Sequence, residues 1–175
     1  MAEQSYTSRR ELEQYHFHPA VTVLAPLICV LLGAILPRLS PHLYILDLPL
    51  IATVFFAVSR RSPIAGAVTG TLIGLLQDSI TDQPFGVFGI AKAIIGYIGA
   101  SLSFTVDVEN IFARILINFC ASLLQSVILY VIRRHMLGIA SEHFQPVYEL
   151  VRAGVNTLIA IPLFMLLDRF KQIPD

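Results

Sequence analysis

Apolar residues occur along this chain in long runs, and short polar segments separate the runs. A helix that crosses a membrane needs roughly 20 mostly apolar residues, with a range of about 17–25. Six segments meet this description: 19–37, 42–58, 63–80, 85–104, 111–132 and 149–168. Asp47 and Pro49 interrupt the second and glycines weaken the third, so four or five spans are the alternatives. We predict six transmembrane helices in an all-α integral membrane protein.

The polar segments are too short to hold a folded soluble domain. The pattern predicts a cytoplasmic tail over 1–18, one six-helix membrane domain over 19–170 and a cytoplasmic C-terminal end over 171–175. No small-residue cleavage site follows the first apolar run, so we interpret that run as a retained helix and not as a signal peptide.

Composition supports the membrane interpretation. The 175 residues are 55% hydrophobic and only 14% charged, with a mean hydropathy of +0.72. A soluble domain would carry about a quarter charged residues. The net charge is zero, so no overall field favours a nucleic acid as partner. Cys29 and Cys120 lie within apolar runs, which favours small buried side chains over a disulfide.

Basic residues give the predicted orientation. Lys and Arg are enriched in cytoplasmic loops of membrane proteins. With the N-terminus inside, the cytoplasmic set is Arg9, Arg10, Arg60, Arg61, Arg114, Arg169 and Lys171, and the outer set is Arg38, Arg133, Arg134 and Arg152. The bias favours both termini in the cytoplasm.

Three glycines in the third span lie four residues apart. Gly66, Gly70 and Gly74 follow one face of a helix, and Asp78 continues the interval. Membrane helices associate through close van der Waals packing, which small residues permit. The glycines therefore predict a packing groove, either for another helix of this chain, which we prefer, or for a partner protein.

Lys92 is a charge within the fourth span. Such a charge costs several kcal/mol unless it is paired or faces a wet cavity. We expect Lys92 to reach Asp78, Asp82 or helix-end carbonyls. The alternatives are a polar cavity lined by Asp78, Lys92 and Tyr97, or an ion relay, for which one acid–base pair is too few groups.

The sequence holds no recognisable catalytic or metal site. It contains no His-Glu-x-x-His, paired cysteines, Walker A loop or Gly-x-Ser-x-Gly. His16 and His18 on the tail, and Asp107 and Glu109 beside Asn110, fit solvated positions and a helix cap. We therefore predict no catalytic residue, no metal and no cofactor.

Polar residues inside the last two spans predict contacts between helices. Asn118, Gln125 and Asn156 are expected to form hydrogen bonds between helices. Pro162 is expected to kink the last span.

The segment GTLIGLLQDSITDQPFGVFGIAKAIIGY resembles the signature of the MreD family of bacterial rod shape-determining membrane proteins. The matching positions are Gly70, Gly74, Asp78, Pro84, Phe85, Gly86, Gly96 and Tyr97. The ending NTLIAIPLFMLLDRF is similar to the family's last helix through Asn156, Pro162 and Arg169. The polar tail and Lys92 depart from the family pattern.

The resemblance implies a non-enzymatic scaffold of the cell-wall elongation complex in the bacterial inner membrane. The implied partners are a single-span MreC-like protein and membrane lipid, and indirectly RodA, a penicillin-binding transpeptidase and the MreB filament. Gly70, Gly74 and Asp78 would shape the groove, and Gly86 would permit a tight entry to helix four.

The family fold is also similar to the six-helix substrate-binding subunits of vitamin-uptake transporters. The alternative hypothesis is therefore an importer subunit that binds a small molecule at Asp78, Lys92 and Tyr97.

Overall fold

The computed structural model describes residues 16–17, 19–81, 83–106, 110–139 and 144–172, and it is helical almost throughout. Its six α-helices are α1 (Pro19–Leu39), α2 (Leu48–Arg60), α3 (Pro63–Ile80), α4 (Val87–Leu102), α5 (Ile111–Val131) and α6 (Pro146–Asp168). Four segments are long and apolar enough to cross a membrane, namely Ala20–Leu39, Pro41–Arg60, Ile111–Met136 and Pro146–Asp168, and α4 is a shorter apolar helix. The prediction of an all-α membrane protein with six helices is confirmed.

Helix boundaries differ from the predicted spans where prolines and caps intervene. A 3₁₀ turn over Pro41–Ile45 precedes α2, so the α-helix begins at Leu48 and not at 42. The Asp47 carboxylate caps α2 by accepting a hydrogen bond from the Leu50 N–H. Later in the chain, α5 continues into a π-helical turn over Ile132–Met136.

Helix α2 is the centre of the bundle. Every residue from Leu48 to Ser59 is buried, and α2 packs against each of the other five helices. The rings of Phe55 and Phe56 meet edge to face, and Phe164 of α6 packs on Phe55. The 13 residues of α2 rise about 20 Å, less than the roughly 30 Å of a bilayer core, and the preceding 3₁₀ turn lengthens the segment.

Helix α1 lies at the outside of the bundle. Only 17% of its apolar window is buried, against 72% for the segment that contains α2. Most of its exposed side chains are large and apolar, among them Val23, Leu24, Ile28, Leu31, Leu32 and Ile35. Lipid tails are as apolar as these side chains, so their exposure carries no hydrophobic penalty in a membrane.

The two ends of the described chain meet. Strand β1 (His16–Phe17) pairs antiparallel with β2 (Lys171–Gln172), so both ends lie on one side of the bundle. This arrangement fits an even number of crossings, while the assignment of that side to the cytoplasm stays a prediction. The expectations for residues 1–15, His18, Asp82, Asp107, Glu109 and 173–175 lie outside the described residues.

Candidate functional site

The three predicted glycines lie at the interface between α3 and α4. A methyl group built on Gly66, Gly70 or Gly74 would lie less than 3.0 Å from a backbone carbonyl oxygen of α4. Gly96 of α4 shows the same closeness to the carbonyl oxygen of Gly66. The backbones of the two helices are therefore in direct contact. The groove is filled by α4, a helix of the same chain, and not by a helix of a partner protein.

Asp78 joins the end of α3 to the start of α4. One carboxylate oxygen accepts hydrogen bonds from the N–H groups of Gly86 (2.9 Å) and Gly89 (3.2 Å). The other oxygen accepts from the Phe88 N–H (3.1 Å). These N–H groups have no partner inside the helix, and a carboxylate at a helix N-terminus is also favoured by the helix dipole. Gly86 begins α4 with φ +98°, a left-handed conformation that favours glycine.

Lys92 is completely buried and forms an ion pair with Asp47. Its ammonium lies 3.3 Å from Asp47 Oδ1 and donates a hydrogen bond to Gln125 Oε1 at 2.9 Å. The same ammonium lies 4.8 Å from the centre of the Phe88 ring. Two acceptors and an aromatic face thus surround a group with three N–H donors.

The Asp47 carboxylate contacts donor groups from four helices. Besides Lys92 of α4, its carboxylate accepts from the Gln125 amide of α5 and from the Leu50 N–H of α2. Arg152 of α6 lies 3.5 Å from Asp47 Oδ2. With Asp47 2% exposed, these partners replace the water that the carboxylate has lost.

Asn156 fixes the segment that carries Asp47. Its amide oxygen accepts from the Asp47 N–H at 2.7 Å, and its amide nitrogen donates to the Ile45 carbonyl at 3.0 Å. We define the Asp47 cluster as Asp47, Lys92, Gln125, Arg152 and Asn156.

Lys92 does not pair with Asp78, one of the partners that we expected for it. The oxygens of Asp78 bind the N-terminus of α4, whereas Lys92 points to Asp47, because α2 in the centre of the bundle lies against α4. The predicted polar cavity of Asp78, Lys92 and Tyr97 is not formed either. Tyr97 is 53% exposed on α4, while Lys92 is enclosed. A cavity of about 570 Å³ does exist, and none of these three residues lines it.

The other predicted polar positions have mixed outcomes. Gln125 and Asn156 make the hydrogen bonds between helices described above. Asn118 is fully buried, and neither of its amide atoms has a hydrogen-bond partner in the described part of the chain. Pro162 lies inside α6, and the helix runs through it without a break from Pro146 to Asp168. A further ion pair joins Arg114 to Asp168 at 2.6 Å, between α5 and α6.

Two members of the Asp47 cluster were missed from the sequence. Asp47 was interpreted as an interruption of the second span, and Arg152 as a residue of the outer loop. A signal was present, since Asp47 precedes Leu-Pro at a helix start and is an acid inside an otherwise apolar segment. Intramembrane charges often pair with one another, and pairing Lys92 with the acid of another span would have identified Asp47.

This geometry favours a structural role for the cluster. Both oxygens of Asp47 already accept hydrogen bonds, and its neighbours include no nucleophile beside a base. Across the residues that the structure describes, no group of three His, Cys, Asp or Glu side chains is placed to hold a metal ion.

Comparison with known families decides the class of the protein. The model of rod shape-determining protein MreD matches residues 17–172. The chain belongs to the MreD family. Membership implies a role in rod shape determination and fits a multi-pass membrane protein. No curated protein and no solved structure gives a significant match.

Within the MreD-like chain, the matched region includes both features described above. The interface between α3 and α4 and the Asp47 cluster lie wholly between residues 17 and 172.

Proposed function

We propose that this protein is a non-enzymatic scaffold of the bacterial cell-wall elongation complex in the inner membrane. It binds an MreC-like single-span protein and thereby acts with RodA, a penicillin-binding transpeptidase and the MreB filament to maintain cell shape. The observation that carries the proposal is the match to the MreD family over residues 17–172.

The structure supports a rigid framework. Backbone contact along Gly66, Gly70 and Gly74 holds α3 and α4 together, and Asp78 binds the first N–H groups of α4. In this proposal the glycines do not receive the partner helix, because α4 covers them. They fix the shape of the hairpin, and with it the connection after Ile80 that the partner contacts.

The importer alternative has lost its predicted site, since Asp78, Lys92 and Tyr97 do not converge on one cavity. We therefore propose the scaffold alone.

Co-purification with a tagged MreC-like protein, together with cell shape, tests this proposal. Gly74→Leu and Asp78→Ala should lower recovery of the partner and round up rod-shaped cells, because each loosens the hairpin. Gly154→Leu is the matched control, since a Cβ atom added at Gly154 would have no neighbouring atom within 4 Å. Normal recovery and normal shape in both hairpin variants would contradict the proposal, provided that all three proteins reach the membrane in equal amounts.

A further inference from the structure

A cavity of about 570 Å³ lies at the end of the bundle opposite the paired chain ends. Five helices contribute to it, through the C-terminal parts of α1, α3 and α5 with its π-helical turn, and the N-terminal parts of α4 and α6. The segment that leads into α2 adds Tyr44, Leu46 and Asp47. Small-molecule sites typically measure about 300–1,000 Å³. The cavity is therefore large enough for a ligand or for the head group of a lipid.

The described residues that line the cavity include more basic than acidic side chains. Among the described residues that line it, three are arginines (Arg38, Arg133 and Arg152) and two are acids (Asp47 and Glu149). Lys92 lies directly behind Asp47 and adds a fourth cation. Asp78 does not line the cavity, and its oxygens accept from N–H groups of α4.

Both acids are already engaged within the protein. Asp47 contacts Lys92 and Arg152, and Glu149 accepts from the Ser126 hydroxyl and lies 3.7 Å from Arg152. A cationic ligand would have to displace these partners. An anionic ligand would contact Arg38, which is exposed, and Arg133, which donates to Gln83 at 3.0 Å. The five N–H donors of a guanidinium can serve more than one acceptor. Guanidinium groups bind phosphate and carboxylate oxygens through paired hydrogen bonds.

Two helices of the cavity lining, α1 and α6, pack on different neighbours. Both helices line the cavity, yet α1 packs mainly on α2 and α3, and α6 on α5 and α2. In the described segments, α1 and α6 share no extensive packing interface. If the anionic group belongs to a lipid, the exposed apolar side chains of α1 are available to its acyl chain.

We propose that this cavity binds the phosphate or carboxylate group of a small anionic molecule or lipid, through Arg38 and Arg133 above the Asp47 cluster. Arg152 contributes positive charge to the floor and holds Asp47 at the same time. This site is separate from the proposed scaffold function, because neither the glycine interface nor Asp78 takes part in it.

Binding is tested with the full-length protein in a non-ionic detergent. Titration with inorganic phosphate is compared with sodium chloride at equal ionic strength, and phosphatidylglycerol is compared with phosphatidylcholine in mixed micelles. Thermal unfolding is followed by labelling of Cys29, which is 5% exposed, in a Cys120→Ser background that removes the exposed thiol. A ligand that binds only the folded state raises the unfolding midpoint.

The decisive variant is Arg38→Gln combined with Arg133→Gln, and the matched control is Arg134→Gln. Arg134 is the neighbour of Arg133, is exposed and does not line the cavity. A hydrogen bond to a charged group contributes about 1.5–3 kcal/mol, so we expect the double variant to bind at least about tenfold more weakly. The single variant Arg38→Gln, at an exposed position, should show a smaller loss even if the double variant folds poorly.

The outcomes distinguish a lipid head group from a soluble anion as the ligand. A midpoint raised by phosphatidylglycerol alone identifies a lipid head group, and one raised by inorganic phosphate identifies a soluble ligand. Either result supports the site only if the double variant loses the response and Arg134→Gln keeps it. The proposal is wrong if neither probe raises the midpoint, or if all variants respond equally.

Discussion

Substitutions at Asp47 and Lys92 should have unequal effects, and the structure gives the order. Lys92→Met removes one cation, after which Asp47 still accepts from Gln125 and the Leu50 N–H and still contacts Arg152. Asp47→Asn removes the only acid in contact with both cations in the described structure, and it leaves Lys92 and Arg152 facing a neutral amide. We expect Asp47→Asn to be the more destabilising substitution.

The magnitude follows from the distances. With an effective dielectric constant of about 20, unit charges 3.3 Å apart attract by about 5 kcal/mol, and the 3.5 Å contact with Arg152 is nearly as strong. Desolvation offsets much of this attraction, and removal of one partner from a buried pair costs about 3–5 kcal/mol. Asp47→Asn loses both attractions, so we expect a cost of about 4–5 kcal/mol, against about 2–3 kcal/mol for Lys92→Met.

The double variant gives the sharpest test. Adding Lys92→Met to Asp47→Asn removes a buried cation whose acidic partner is already gone. The double variant should therefore regain at least about 1 kcal/mol in the free energy of unfolding, relative to Asp47→Asn alone. The free energy of unfolding is measured by titration with a denaturing detergent, with labelling of Cys29 in the Cys120→Ser background as the signal. Arg134→Met, at an exposed position, controls for the loss of one charge.

Two results would refute this reasoning. In one, Lys92→Met costs as much as Asp47→Asn, which would mean that Arg152 does not stabilise the acid. In the other, the costs of the two single substitutions add in the double variant, which would mean that Asp47 and Lys92 do not interact.

Two further predictions concern packing and use the same unfolding measurement. Gly70→Ala should cost at least about 1–3 kcal/mol, because its methyl group meets the Lys92 carbonyl. Gly154→Ala, with no atom within 4 Å, should be neutral or stabilising by up to about 1 kcal/mol, and equal losses at both glycines would contradict the close approach of α3 and α4. Asn118→Val should stabilise the protein by about 1 kcal/mol or more, because it removes a buried amide without hydrogen-bond partners. A clear loss of stability would show that Asn118 has a partner.

The sequence pattern predicted those features that depend on neighbouring residues. Apolar runs of sufficient length predicted the helices, since a lipid-embedded backbone must satisfy its own hydrogen bonds. The interval of four between Gly66, Gly70 and Gly74 predicted a face for close packing, because that interval returns to one side of a helix. The preference for a helix of the same chain agrees with the position of α4.

The pairing of charges could not be read in the same way. Asp47 and Lys92 are 45 residues apart, and their contact depends on α2 lying in the centre of the bundle. Asp78 is closer to Lys92 along the chain, but the free N–H groups at the start of α4 use its oxygens. Asn118 shows the same limit, since an amide within a span predicts a hydrogen bond and only the packing decides whether a partner is within reach.

The position of Asp47 has a consequence for the synthesis of the protein. Its partners Lys92, Gln125 and Arg152 follow it by 45, 78 and 105 residues. At about 5–20 residues per second, the ribosome completes the last of them roughly 5–20 s after Asp47. Lys92 is present before that interval ends, but Arg152 is not, so we expect α2 to reach its fully paired position only after α6 has been synthesised.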